Sequence, residues 1–149
     1  MFKSDIVVAR RMNESGIWEV RAPLIWDDGN VHITVPVGFR FDFATTPQWI
    51  WSILPRSGMK YDRAAALHDW LYGTYLLTRK EADVLFYEAM RYDGVGYVRA
   101  SFMYKTVRIF GGRAWNNQSL HEVNKNRLLG DLPLLKHKDE AKIYRKNGA

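Results

Sequence analysis

Cysteine is missing altogether, and proline is sparse, at five residues in 149. Without thiols the chain can build neither disulfides nor thiolate metal sites. Long apolar runs are missing too. The opening MFKSDIVVARR holds one short charge-free run, Ile6 to Ala9, well below the core of a signal peptide. No stretch approaches the roughly 18 apolar residues of a membrane-spanning helix. Acidic residues are outnumbered, 16 Asp and Glu against 22 Lys and Arg, for a net charge of +6.

What is present is the composition of a folded domain. The length suits one domain, and a chain of this size buries roughly 68–70% of the surface it exposes unfolded. The hydrophobic fraction is 47% and the aromatic fraction 14%, with six Trp and eight Tyr. That excludes disorder for most of the chain and leaves aromatic side chains for a groove or an interface. The positive balance favours anionic partners: nucleic acid, phospholipid headgroups or an acidic protein. Part of it lies in the tail, where Lys136, Lys138, Lys142, Arg145 and Lys146 outnumber Asp139 and Glu140, as in a solvated, flexible extension.

The pattern along the chain predicts an α+β fold: a small N-terminal antiparallel sheet over about residues 5–43, then a three-helix half. Ile6 to Ala9 is a short apolar run, and Ile17 to Ala22 alternates as a half-buried strand does. The turn cluster Asp27-Asp28-Gly29-Asn30 separates Leu24-Ile25-Trp26 from Val31 to Val35, which predicts a hairpin. After Pro36 and Gly38, Phe39 to Phe43 alternates again. Ala44-Thr45-Thr46-Pro47 reads as a cap and a first-turn proline, opening a short aromatic helix over about 47–54. Helices are expected over 60–73, 78–93 and 97–111. The second opens on the capping box Thr78-Arg79-Lys80-Glu81, and Gly111-Gly112 is the expected stop of the third. Residues 1–115 form the predicted domain, and 116–149 a partly helical or flexible extension, with a short helix within Ser119 to Leu129.

One helix carries the sharpest chemical signal, His68-Asp69-Trp70-Leu71-Tyr72. Residues four apart share a face, so an imidazole and a phenol project together, with the Asp69 carboxylate at the edge. Asp83 follows near the start of the next helix, close enough in sequence for the two helices to pair. A carboxylate bound to an imidazole is how a general base is held in one tautomer. Asp69 would then be free to offer oxygen to a hard cation such as calcium. The same pattern also suits a buried, hydrogen-bonded core histidine, with Asp69 paired to Arg63 or Arg79. Asp42 and Thr45 form a second candidate, either capping the helix that follows or reaching the cleft of His68. A third is the basic face of Arg99, Lys105, Arg108 and Arg113, suited to phosphate or to plain solvation. No zinc motif, phosphate-binding loop, dinucleotide fingerprint or nucleophile elbow is present.

Four ordered blocks carry a resemblance. GFRFDFATTP (38–47), ALHDWLY (66–72), RKEAD (79–83) and FGGRAW (110–115) resemble a domain of unknown function found in tailed phages and bacterial prophages. The resemblance implies a phage source, hence a virion or the host cytoplasm, with release by lysis or packaging into a particle. More distantly, His-Asp-x-x-Tyr followed by an Asp on a partner helix is similar to the secretory phospholipases that cleave the sn-2 ester. That similarity implies His68 as the base for a water, Asp69 as a calcium ligand, and Tyr72 and Asp83 as supports of His68. The chain departs from those enzymes in having only Arg56-Ser57-Gly58-Met59 before the helix, where they carry a glycine-rich calcium loop, and in lacking their cysteines.

Two functions follow as expectations. One is a phage-encoded hydrolase acting on host envelope phospholipid esters as the phage enters or lyses the cell. The other is a non-enzymatic tail, neck or baseplate component, or an assembly factor, bound to phage structural proteins through aromatic runs such as Trp49-Ile50-Trp51. A nucleic-acid role rests on charge alone.

Overall fold

In a computed structural model, residues 1–10, 17–42 and 61–137 are described. Among these residues five short strands come first: β1 (Val7–Arg10), β2 (Trp18–Ala22), β3 (Leu24–Asp27), β4 (His32–Val35) and β5 (Arg40–Phe41). They form two small antiparallel sheets where one was expected. β2 lies between β1 and β5, and β3 pairs with β4 as the predicted hairpin, Leu24 opposite Val35 and Asp27 opposite His32. The turn is held by its own carboxylates. Asp27 accepts from the Gly29 amide, Asp28 accepts from the amides of Asn30 and Val31, and Gly29 takes a φ of 90°. Alternation sends Leu24, Trp26, Ile33 and Val35 inward, where Phe2 meets Trp26 edge to face.

Four helices follow among the described residues, α1 (Asp62–Thr74), α2 (Arg79–Tyr92), α3 (Tyr97–Asn117) and α4 (Leu120–Leu129). α1 is buried on every side from Ala64 to Thr74 and packs against the other three helices and against β3, β4 and β5. A helix buried all round belongs at the centre of a fold, and its small alanines let neighbours approach closely. α2 opens on the predicted capping box, with Thr78 and Glu81 each satisfying the other's amide. It buries Ala82, Leu85, Phe86, Ala89 and Met90, together with Asp83. The layout is the predicted α+β one, with four helices among the described residues in place of three. The segments of the expected 47–54 helix, Thr45, the Trp49-Ile50-Trp51 run and the tail beyond His137 lie outside the described residues.

The predicted stop at Gly111-Gly112 is corrected: α3 runs through both glycines to Asn117. The reason is tertiary. A Cβ at Gly111 would sit 2.8 Å from the hydroxyl oxygen of Tyr72 on α1, so the glycine marks a close crossing rather than a cap. α4 caps on Ser119 and docks onto the end of α1. There the buried Arg127 donates to the Thr74 carbonyl at 2.7 Å and Asn126 to that of Gly73 at 3.0 Å, satisfying carbonyls that a helix end leaves open.

Gly111→Ala and Gly112→Ala gain the same helix propensity, about 1 kcal/mol. A Cβ at Gly112 meets only the guanidinium of Arg79, at 3.4 Å. Thermal unfolding should therefore show Gly111→Ala the less stable variant by roughly 1–3 kcal/mol, the cost of overpacking. Equal midpoints would mean that the crossing at Tyr72 is loose.

Candidate functional site

His68 and Tyr72 lie one turn apart on α1, and Asp83 lies in the second turn of α2. The connection Tyr75–Thr78 is short, so the helices lie side by side and Asp83 faces both residues. Its Oδ1 is 2.7 Å from His68 Nε2 and accepts the Tyr72 hydroxyl at 2.7 Å. Its Oδ2 accepts from Arg108 Nη1 of α3 at 2.6 Å. One carboxylate thus joins three helices. Of the expected set, His68, Tyr72 and Asp83 are brought together. Arg108 completes the group.

All three expected members are buried. His68 is 1% exposed and Asp83 and Tyr72 are 0%. The imidazole packs between Phe86, near parallel at 4.6 Å between ring centres, and Tyr72 at 4.3 Å. Burial by itself would raise the Asp83 carboxyl. The hydrogen bonds from His68, Tyr72 and Arg108 oppose it, and the group is held below its usual 3.8. Burial, and then the Asp83 charge, push the Tyr72 phenol well above its usual 10.0, so it remains a donor.

An ionised carboxylate only accepts, so the proton between the pair belongs to His68 Nε2. In the neutral ring Nδ1 then carries a lone pair, and among the described residues it has no hydrogen-bond partner. Leaving such an atom buried and unsatisfied costs about 1–3 kcal/mol, so it calls for an explanation. An imidazole fixed by one nitrogen and basic at the other is the arrangement of a general base.

Beside this network runs a cleft of about 450 Å³ lined by Asp69, Tyr72, Asp42, Arg40, Gln118 and Lys125 among others. Tyr72 is the network member that also lines it. Asp69 is 9% exposed, and Asp42 stands on the same cleft wall, so the structure brings these two candidates together. Among the described residues, no group of three or more His, Asp or Glu gathers to hold a metal ion. Arg63 pairs with Asp93 and Asp5, and Arg79 donates to the carbonyl of Arg108.

Sequence reasoning placed Arg108 on a basic surface and missed its part here. The missing information was the rotation of α3. Arg108 falls on the side facing α2, one turn before the glycine that lets α3 approach Tyr72.

A family model described as "Protein of unknown function (DUF1353)" matches residues 18–107. The match takes in His68, Asp69, Tyr72 and Asp83 and stops just before Arg108. The uncharacterized protein y4jT of Sinorhizobium fredii (strain NBRC 101917 / NGR234) is 35% identical over 98 residues. That alignment covers 64% of this chain and 29% of the relative, so the chain spans less than a third of that protein's length. No solved structure matches.

Removing one member of a buried ion pair strands its partners and costs roughly 3–5 kcal/mol. Asp83→Asn should show a loss of that order in chemical denaturation. Arg108→Met should lose less, because the Arg108 side chain is 31% exposed and less of its environment is at stake. Because the folded Asp83 carboxyl lies below its unfolded value of about 3.8, its contribution is present above that pH and is lost as pH falls through the folded value. The acid limb of stability should therefore be shallower in Asp83→Asn than in wild type. Identical acid limbs would contradict the assignment.

Proposed function

This chain belongs to the DUF1353 family of proteins of unknown function, and from that premise we propose that it is an ester hydrolase whose general base is His68. The observation that carries the reading is the orientation of the ring: Nε2 is bound to Asp83 at 2.7 Å while Nδ1 has no partner among the described residues. In the proposed reaction Nδ1 takes a proton from a water as its oxygen attacks the ester carbonyl carbon. The tetrahedral intermediate then collapses with cleavage of the bond to the leaving oxygen, and the imidazolium returns the proton to that alkoxide. Asp83 steadies the transient positive charge on the ring, and Tyr72 and Arg108 hold Asp83 in place. Water and ester approach from the cleft, where Tyr72 joins the network to Asp69 and Asp42.

The likeness of the His-Asp helix to that of the secretory phospholipases supports a phospholipid ester as substrate, and the four-block resemblance supports a phage source. Calcium takes six to eight oxygens. The three carboxylates that line the described cleft, Asp42, Asp69 and Glu122, do not gather into such a shell among the described residues, and none of the steps above passes through a metal.

A second reading has its own observation. A His68 that is 1% exposed, tied to an Asp83 whose two oxygens serve three helices, also suits a device that fixes helix packing in a phage structural protein or assembly factor. The two readings part on one assay. Wild-type protein should release fatty acid from the sn-2 position of mixed phospholipid vesicles, tested with calcium and with chelator. His68→Asn, shown folded by circular dichroism, should lose at least about 100-fold in rate, as removal of a general base does. Equal rates for the two proteins, or no release by either in both media, would leave the packing role standing.

A further inference from the structure

We infer that the outer face of α3 is a docking surface for an anionic lipid bilayer, with Val98, Phe102 and Ile109 entering the interface and Lys105 and Arg113 meeting the headgroups. This goes beyond the hydrolase reading and stands without it, because it rests on the surface of α3 alone.

The spacing of 98, 102, 105, 109 and 113 follows one side of a helix, opposite the buried Ala100, Met103, Val107 and Gly111. On that side Val98 is 78% exposed, Ile109 71% and Phe102 40%. Single exposed apolar residues are ordinary; three along one stripe over more than two turns mark a contact surface. The apolar surface continues into a shallow groove in which Val98 and Phe102 stand against Val84 and Tyr87 of α2.

Charge selects the occupant. α3 carries Arg99, Lys105, Arg108 and Arg113 and not one acidic residue. Arg108 is spent on Asp83, while Lys105 and Arg113 are exposed and, among the described residues, pair with no carboxylate. A second copy laid on this stripe would set Lys105 and Arg113 against their own kind, with no acid to neutralise them. Nucleic acid would meet the cations but has little use for the aliphatic Val98 and Ile109. An anionic bilayer takes both, the apolar side chains at the acyl boundary and the cations at the phosphates, each cation adding attraction near the surface.

Vesicle co-sedimentation of the full chain in chelator tests this. Vesicles of phosphatidylcholine alone are compared with phosphatidylcholine–phosphatidylglycerol mixtures at low and high salt. Wild type should partition at least about tenfold more strongly onto the anionic vesicles, and less so at high salt. Val98→Ser/Phe102→Ser/Ile109→Ser and Lys105→Glu/Arg113→Glu should each lose about tenfold or more. Lys3→Glu/Lys80→Glu, which removes the same charge from other exposed positions, should stay near wild type. All these residues are exposed, and circular dichroism checks that each variant folds. The inference is overturned if both α3 variants bind like wild type, if Lys3→Glu/Lys80→Glu loses as much as they do, or if wild type binds neither vesicle. Hydrolysis is not read, so failure here leaves the role of His68 untouched.

Discussion

The fold and its candidate chemistry both depend on the carboxylate of Asp83. An ionised carboxylate taken wholly out of water costs several kcal/mol unless its lone pairs are met. Here they are met from three directions, by His68 and Tyr72 of α1 and by Arg108 of α3. The consequence is geometric. α1 and α3 can each sit against α2 in only one rotation, because any other strands a buried charge. Gly111 belongs to the same constraint, since the approach that brings Arg108 to Asp83 also presses α3 onto the Tyr72 hydroxyl.

Much of this was legible in the sequence, for local reasons. The hairpin at Asp27-Asp28-Gly29-Asn30, the capping box at Thr78 and the paired placement of His68 and Tyr72 are set by neighbours within four residues, and patterning reads such features well. Asp83 was legible because a short connection forces α1 and α2 together. What local pattern cannot carry is the relative rotation of elements distant in sequence. Arg108 looked like one more basic residue on α3, and Gly111-Gly112 looked like a stop, because both take their meaning from α1 and α2. The separation of the strands into two sheets is likewise a matter of tertiary pairing, with β5 joining β2 across the β3–β4 hairpin.

The site has two compartments with different physics. In the network around Asp83, His68, Tyr72 and Asp83 itself are buried, which suits the holding of one tautomer. The cleft beside it is open, with Asp42, Asp69 and Glu122 on its wall among apolar side chains, and Tyr72 lines it as well. The family match spans α1, α2 and the first half of α3, and it leaves Arg108 and α4, which supplies Lys125 to the cleft, beyond its end.

The central claim is that Asp83 fixes His68 with its proton on Nε2 and a lone pair on Nδ1. Nitrogen-15 NMR of the imidazole, assigned by comparison with His68→Asn, reads this directly at a pH where the ring is neutral. The account predicts a protonated Nε2 and an unprotonated Nδ1 in the folded wild-type protein. A proton on Nδ1, or a ring exchanging freely between tautomers, would contradict it.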